Sequence, residues 1–286
     1  MAQPTVPSMQ ELLTAGAHFG HKVSRAHPKM KEFIFGARDG ISIIDLEKTE
    51  KKLREAIDAA YKLGKDGKIL LVVGTKKQSK DIAKDLAKEA DTPYLVERWV
   101  GGMLTNFEEM RRKIRKLVDL KEEKEKGQLA RYTKKEQLLL SRRLEKFERE
   151  YGGVVDMTKL PDAIFLLDAV SDMTAVKESQ RMNIMLLGLS DTNADPNWFE
   201  YPIPANDDGI KSIKVVCEAV IRAYAQGKKE SGHKVNEAKV EESVKEEKSK
   251  KVDETEEVTE APIEAETAVL EELVEKEVVA ESERKS

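Results

Sequence analysis

Cysteine, aromatic residues and long apolar runs are scarce in this sequence. One of its 286 residues is a cysteine, Cys217, so no disulfide forms within the chain and a disulfide-stapled secreted framework is excluded. Cys217 lies in a helical pattern without a neighbouring histidine, which favours a packed side chain over a catalytic thiol. No segment approaches the roughly 18 consecutive apolar residues that a membrane span requires. We therefore expect a cytoplasmic protein that contacts no membrane.

A complete phosphate-binding loop is also missing. Residues 70–77 have the pattern of a strand, a glycine turn at Gly74 and a helix. A Walker loop would add a second glycine followed by Lys-Ser or Lys-Thr, and a dinucleotide fingerprint would need three spaced glycines. We therefore predict that the protein is not an enzyme and requires no cofactor. The alternative is a flavodoxin-like nucleotide-binding module or enzyme that dimerises through an inserted helical hairpin.

Charge is distributed unevenly along the chain. The net charge is −4, but residues 227–286 hold 11 Lys/Arg and 19 Asp/Glu, which leaves a body with a net charge of +4. From Lys228 onward the sequence contains no aromatic residue and one proline, Pro262. Such a segment cannot bury enough apolar surface to offset its conformational entropy. Residues 228–286 are therefore predicted to form an acidic, disordered tail.

Short apolar runs alternate with helical patterns in the predicted body, which comprises residues 1–104 and 152–227. Candidate strands cover residues 41–45, 69–73, 94–96, 163–167 and 185–189, and candidate helices cover residues 47–63, 77–90, 175–182 and 209–226. This alternation is typical of a mostly parallel sheet with helices on both faces. Five strands with interleaved helices predict an α/β fold of the flavodoxin-like, doubly wound kind.

A long insertion interrupts this alternation. More than 60 residues separate the third and fourth candidate strands, where a crossover needs only about a dozen. Apolar residues recur at spacings of three and four on two arms, Phe107, Met110, Ile114 and Leu117 on the first and Leu140, Leu144, Phe147 and Tyr151 on the second. The spacing predicts an antiparallel coiled-coil hairpin over residues 105–151, with a turn near Gly127 and arms about 30 Å long.

The predicted hairpin is rich in cations. Residues 106–150 hold 15 basic and 10 acidic residues, and the basic residues lie off the apolar seam, where they can reach phosphates. For RNA we expect recognition of shape and backbone, since the deep groove of an A-form helix is closed to side chains. A coiled coil whose charges are only solvated is the alternative. The candidate RNA-binding residues are Arg111, Arg112, Lys113, Arg115, Lys134, Lys135, Arg142 and Arg143 on the hairpin, and Lys22, Arg25, Lys29, Lys31 and Arg98 on the body.

Acidic residues after the fifth candidate strand indicate a candidate site for a divalent metal ion. Oxygen ligands at alternate positions suit a hard cation, although aspartates at such positions also cap turns and helices. His18 and His21 have a spacing that could bind a metal, but no cysteine or HExxH-type partner accompanies them, and structural hydrogen bonding is expected for His18. The candidate metal ligands are His27, Asp191, Asp195 and Asp207.

Several blocks of the sequence are similar to one family. They are residues 17–21, 27–31, 34–38, 43–49, 74–77, 98–106, 160–163, 191–196 and 203–208. Their content and order resemble the bacterial small-subunit ribosomal protein numbered two, over residues 8–225. The resemblance implies a flavodoxin-like body with a coiled-coil insertion, on the back of the small subunit near the junction of head and body.

The resemblance also implies partners. Members of the family contact small-subunit ribosomal RNA and neighbouring ribosomal proteins, and they help to dock the large mRNA-binding protein numbered one. Two departures limit this comparison. The chain after Gly227 is longer and more acidic than the family requires, and an asparagine is common in the family where this chain has His27.

Overall fold

The computed structural model describes residues 4–230, apart from the side chains of residues 130 and 131. The strands in this part of the chain are β1 (Phe19–Lys22), β2 (Ile34–Arg38), β3 (Ile41–Ile44), β4 (Leu70–Val73), β5 (Tyr94–Leu95), β6 (Ala163–Leu166), β7 (Met185–Ser190) and β8 (Tyr201–Pro204). The α-helices are α1 (Met9–Ala15), α2 (Leu46–Lys65), α3 (Lys80–Glu89), α4 (Phe107–Glu125), α5 (Lys134–Tyr151), α6 (Met173–Met182) and α7 (Ile210–Glu230). The predicted tail lies outside the described residues except for its first three.

Strands β4 to β8 form a parallel sheet in the order β5-β4-β6-β7-β8. Every residue of β4 and β6 is buried, as expected for strands that are covered on both faces. Counted along the chain, the order of the five strands is 2-1-3-4-5, which is the order of flavodoxin-like sheets. The predicted α/β fold with a five-stranded parallel sheet is therefore confirmed.

One strand of this sheet was predicted wrongly. The strand expected at residues 41–45 is β3, which pairs antiparallel with β1 and β2 in a separate three-stranded sheet. Asp39 and Gly40 join β2 to β3 with positive φ angles of 52° and 77°, as a two-residue hairpin turn requires. The fifth parallel strand is instead β8. Its Pro202 and Pro204 are tolerated because β8 lies at the edge of the sheet and pairs with β7 alone.

Helices cover both faces of the parallel sheet. Helices α1, α2, α3 and α7 pack on the face that presents Phe165 and Leu187. Helices α4 and α6 belong to the buried cluster on the other face, with Ile164 and Leu186. Among residues 4–230, no helix has the length and apolar character needed to cross a membrane.

Two glycines allow α2 and α7 to approach closely. A Cβ atom on Gly64 would lie 2.1 Å from the carbonyl oxygen of Tyr224, and one on Gly227 would lie 2.1 Å from the carbonyl oxygen of Tyr61. The contact continues to the end of α7 at Glu230. The first three residues of the predicted tail are therefore helical, because they extend a packed interface that composition alone does not reveal.

Helices α4 and α5 occupy the long insertion between β5 and β6. Helix α4 ends just before Gly127, whose φ is 69°. Helix α5 begins after Thr133, which forms a capping box with Glu136. The buried side chains of the two helices are Met110, Ile114, Leu117, Leu144 and Tyr151. Most of the predicted seam is therefore buried.

Candidate functional site

Four polar residues meet at the carboxyl edge of the parallel sheet. We call Lys76, Asp168, Asp207 and Asp208 the carboxyl-edge cluster. Lys76 follows β4, Asp168 follows β6, and the other two follow β8. Because parallel strands end at a common edge, residues distant in sequence converge there, and open α/β sheets bind their ligands at this edge.

Lys76 is the cation of the carboxyl-edge cluster and lies among its three carboxylates. Its Nζ lies 2.6 Å from Asp208 Oδ1, 2.9 Å from Asp207 Oδ1 and 3.3 Å from Asp168 Oδ2. Burial alone would lower the pKa of Lys76, but hydrogen bonds to Asp208 and Asp207 outweigh this effect and raise the pKa. The lysine therefore stays charged. Its side chain lies at the edge of the sheet at which a flavodoxin-like protein would bind a nucleotide. This arrangement disfavours the nucleotide-binding alternative.

Asp168 and Asp172 differ in their ionisation. Burial raises the pKa of Asp172 to about 6, although Thr75 Oγ1 donates a hydrogen bond to it at 2.9 Å. Burial acts in the same direction on Asp168, but hydrogen bonds from Ser171 and the charge of Lys76 prevail and lower its pKa. Asp168 is therefore an ionised partner of Lys76, whereas Asp172 is held closer to its neutral form.

A second group of ligand atoms adjoins the cluster. The side chains of His21, Asp191 and Asp207 place one ligand atom each within 4.8 Å of one another. His21 Nδ1 is buried and lies 3.2 Å from Asp191 Oδ2, without the alignment of a hydrogen bond. Burial, followed by the charges of Asp191 and Asp168, raises the pKa of Asp207 to about 7. The three side chains have the composition of a metal site.

The structure brings together only part of the predicted metal set. Asp191 and Asp207 converge, but His27 caps the 3-10 helix Pro28–Phe33 by accepting a hydrogen bond from the Lys29 backbone. Asp195 caps the turn at Asn197 and accepts a hydrogen bond from Lys29 Nζ at 2.8 Å. Capping, the alternative interpretation of these residues, therefore accounts for two of the four.

The two histidines of β1 and its approach also differ from each other. The imidazole near Asp191 and Asp207 belongs to His21 and not, as predicted, to His27. The two aspartates follow strands that are far from His21 in sequence. The sequence indicated His21 only through its spacing from His18. Its acidic partners become apparent only in the fold. The hydrogen bond expected of His18 is not present, since its buried Nδ1 has no partner among residues 4–230, and burial lowers its pKa.

The body residues predicted to bind RNA are all exposed, but they are not equally available. Lys29 is paired with Asp195 at 2.8 Å, and Arg98 is paired with Glu150 at 3.0 Å. Within residues 4–230 the other three make no ion pair. These three are Lys22, Arg25 and Lys31.

The predicted residues on α4 and α5 show the same division. Arg112 forms an ion pair with Glu109 at 2.8 Å, and the guanidinium of Arg143 lies 5.4 Å from the ring centroid of Phe147. In the described part of the chain the remaining six make no ion pair. They are Arg111, Lys113, Arg115, Lys134, Lys135 and Arg142. Unpaired cations on a surface are available to phosphates.

Glu178 anchors the segment that leads into α4. This glutamate of α6 is 8% exposed, and its carboxylate accepts hydrogen bonds from the backbone N–H groups of Gly102 at 2.8 Å, Leu104 at 3.0 Å and Thr105 at 3.3 Å. Trp99 Nε1 donates to the same carboxylate at 3.2 Å. Burial alone would raise the pKa of Glu178, but these hydrogen bonds prevail and lower it. The sequence does not indicate this role of Glu178, because its hydrogen-bond partners lie more than 70 positions away.

Large apolar side chains are exposed on the three-stranded sheet. Phe35 on β2 is 81% exposed, Phe19 on β1 is 48% exposed, and Val23, just after β1, is 50% exposed. Lys22 and Arg25 lie in the same segment as Val23. Exposed aromatic residues with basic neighbours are typical of a surface that binds another macromolecule.

Comparison with known proteins identifies the family. Residues 12–227 match the family described as Ribosomal protein S2. A small ribosomal subunit protein uS2 of Nitratiruptor sp. is 46% identical over 221 residues, which are 77% of this chain and 83% of the relative. The protein of the same description from Helicobacter hepaticus is 43% identical over 230 residues, which are 80% of this chain and 87% of the relative. The chain therefore belongs to the ribosomal protein S2 family, whose members are structural, non-enzymatic constituents of the small subunit of the bacterial cytoplasmic ribosome.

Proposed function

We propose that this protein holds ribosomal RNA of the small subunit through unpaired surface cations on α4, on α5 and on the β1 segment, by which we mean residues 19–31 with Lys22, Arg25 and Lys31. The observation that carries the proposal is the set of cations without ion pairs on these elements, in a chain that belongs to a ribosomal family. Contacts of this kind neutralise phosphates and release counterions, so the affinity depends steeply on salt. They support the assembly of the small subunit and, through it, translation.

We further propose that α4 and α5 form an antiparallel coiled-coil arm. Their buried residues follow the spacing of a coiled-coil seam, with Met110 and Ile114 on one helix and Leu144 on the other. Lys121 of α4 and Glu148 of α5 form an ion pair at 3.3 Å across the seam. Packing of this kind buries the apolar residues and directs the basic ones outward.

Charge neutralisation on the arm tests RNA binding. Arg111, Arg112, Arg142 and Arg143 are changed to glutamine together, and the dissociation constant for small subunits depleted of this protein is measured over a range of KCl concentrations. We expect weaker binding and a flatter salt dependence, by at most about one unit of slope for each lost phosphate contact. An unchanged slope would mean that these four arginines contact no phosphate.

The exposed apolar surface supports a protein partner. We propose that Phe19, Val23 and Phe35 contribute to docking the large mRNA-binding ribosomal protein numbered one. Buried aromatic side chains dominate the binding energy of most protein interfaces. Small subunits that contain the double variant Phe19→Ala and Phe35→Ala should lose the mRNA-binding protein but retain the variant itself. Leu13→Ala, at a residue of α1 that is 54% exposed, is the matched control. Retention of the mRNA-binding protein by the double variant would refute this docking site.

A specific observation favours a second, metal-binding role. An imidazole and two carboxylates suit zinc or a similar divalent cation, and burial together with the charges of Asp191 and Asp168 raises the pKa of Asp207 to about 7. We propose that His21, Asp191 and Asp207 bind such an ion, which would crosslink β1 to the carboxyl edge of the parallel sheet. Added zinc chloride should raise the unfolding temperature of chelator-treated protein and of His27→Gln, but not of His21→Gln. An equal rise in all three proteins would contradict the site.

A further inference from the structure

The outward faces of α4 and α5 differ in charge. On the side of α5 away from the proposed seam, eight exposed residues recur at helical spacing. They are Lys134, Lys135, Leu138, Leu139, Arg142, Glu145, Lys146 and Arg149. With five cations and one carboxylate, this surface, which we call the α5 outer face, has a net charge of +4.

The corresponding side of α4 is close to neutral. Its residues are Glu108, Glu109, Arg112, Arg115, Lys116, Asp119 and Glu123. They comprise three cations and four carboxylates, and Arg112 is already paired with Glu109 at 2.8 Å. In contrast, the cations of the α5 outer face make no ion pair within residues 4–230. An anionic partner therefore meets an attractive surface on α5 and a compensated one on α4.

Two leucines interrupt the cations of the α5 outer face. Leu138 is 53% exposed and Leu139 is 37% exposed, and among the described side chains of α4 and α5 these are the large apolar ones that lie open to solvent. Lys134 and Lys135 lie one helical turn before the pair, and Arg142 lies one turn after it. The face therefore presents an apolar centre with positive charge on both sides, over about 22 Å of helix.

We infer that the α5 outer face straddles the minor groove of a ribosomal RNA duplex. This inference rests on the proposed RNA-binding function and names the face and the RNA feature that carry it. The minor groove of A-form RNA is wide and shallow and displays ribose, whose carbon atoms can cover an apolar side chain. Leu138 and Leu139 contact riboses in the groove, and the cations on either side contact phosphates of the two bordering strands.

Two fourfold variants with equal charge changes test the electrostatic part. On α5 they are Lys135→Gln, Arg142→Gln, Lys146→Gln and Arg149→Gln, and on α4 they are Arg112→Gln, Lys113→Gln, Arg115→Gln and Lys116→Gln. Both sets lie on exposed positions, and circular dichroism checks that helix content is kept. Small subunits depleted of this protein are the probe. The α5 variant should lower the slope of log Kd against log salt by about 3 units and the α4 variant by only about 1, because the cations of α4 make fewer phosphate contacts. Equal slopes for the two variants, or a larger loss for the α4 variant, would overturn the inference.

A leucine variant tests the groove contact. Leu138→Ala combined with Leu139→Ala should weaken binding about tenfold without changing the salt slope, because apolar area is lost and no charge is removed. Leu13→Ala on α1 is the control. Hydroxyl-radical footprinting of the subunit should show riboses on the minor-groove side of one duplex protected by the wild-type protein and exposed with the leucine variant. Weaker binding with unchanged ribose protection would assign the leucines to a protein neighbour and overturn the inference.

The proposed function and this inference fail in different ways. If the wild-type protein does not bind depleted subunits, the proposed function itself is wrong. If it binds and both the α5 variant and the leucine variant match it in affinity and slope, RNA is bound elsewhere on the chain, and only the assignment of the α5 outer face is lost.

Discussion

Replacing Glu178 with glutamine should destabilise the segment before α4 strongly. One carboxylate oxygen accepts from Trp99 and Gly102, and the other accepts from Leu104 and Thr105. A glutamine amide has one acceptor oxygen, so in either orientation its NH₂ group faces two donors. A hydrogen bond to a charged group contributes about 1.5–3 kcal/mol, so two lost bonds cost about 3 kcal/mol even at the lower limit. For a chain of this size the unfolding temperature should fall by roughly 6–12 °C.

Unfolding and hydrogen exchange together test this reasoning. Glu178→Gln should lower the unfolding temperature and speed amide exchange at Gly102, Leu104 and Thr105, whereas Glu145→Gln on the exposed side of α5 should change neither. The pKa of Glu178 is lowered in the folded protein, so its stabilisation is present above the ordinary pKa of 4.5 and is lost as the pH falls through the folded value. The difference between wild type and Glu178→Gln should therefore shrink in acid. Unchanged exchange at the three amides would refute the anchoring role.

Three other substitutions follow from the packing and the buried charges. Gly64→Ala or Gly227→Ala should force α2 and α7 apart and lower the free energy of unfolding in urea by about 2–3 kcal/mol. Gly101→Ala, at a position with open space around it, should lower it by less than about 1 kcal/mol. Equal effects would contradict the close approach of the two helices. The raised pKa of Asp172 makes the stability of the wild type fall as the pH rises through about 6. Between pH 4 and pH 8, the free energy of unfolding of Asp172→Asn should therefore rise by up to about 3 kcal/mol relative to that of the wild type. A difference that does not depend on pH would refute this reasoning. Lys76→Met should lower the free energy of unfolding by about 3–5 kcal/mol because three carboxylates lose their cation, and an unchanged urea midpoint would show that the cluster is solvated.

The strands show what a sequence pattern can specify. Buried runs such as β4 and β6 were predicted almost to the residue, since a strand covered on both faces is apolar throughout. Residues 41–45 were correctly predicted as a strand but placed in the wrong sheet, because the apolar pattern does not determine which partner a strand pairs with. β8 was missed because Pro202 and Pro204 argue against a strand, and only its place at the edge of the sheet makes them acceptable.

The candidate functional residues show the same contrast between what a pattern specifies and what it does not. The excess of cations on the insertion can be counted from the sequence, and helical spacing shows which of them lie away from the apolar residues of α4 and α5. Which cations are compensated depends on neighbours in space, as for Arg98 with Glu150 and Lys29 with Asp195. His21 could not be assigned to the acidic residues of the carboxyl edge because its partners follow β7 and β8. Spacing therefore predicts elements, whereas pairing of charges requires the fold.

The carboxyl edge explains why a flavodoxin-like fold need not bind a nucleotide. Ligands of such sheets bind where strand order reverses, beside the turn after the first parallel strand. Here that turn carries Lys76, which is committed to three aspartates of the same chain. The edge is thus used to tie strands together, and the unpaired cations that we propose bind RNA lie on α4, on α5 and on the β1 segment.

Rebinding to the small subunit is the most direct test of the central claim. Purified full-length protein is mixed with small subunits that lack it, and the mixture is separated on a sucrose gradient at low salt and at high salt. RNA binding through unpaired cations predicts one copy per subunit at low salt and progressive release as the salt concentration rises. Protein that remains at the top of the gradient at low salt, with subunits shown to be depleted of it, would contradict the claim.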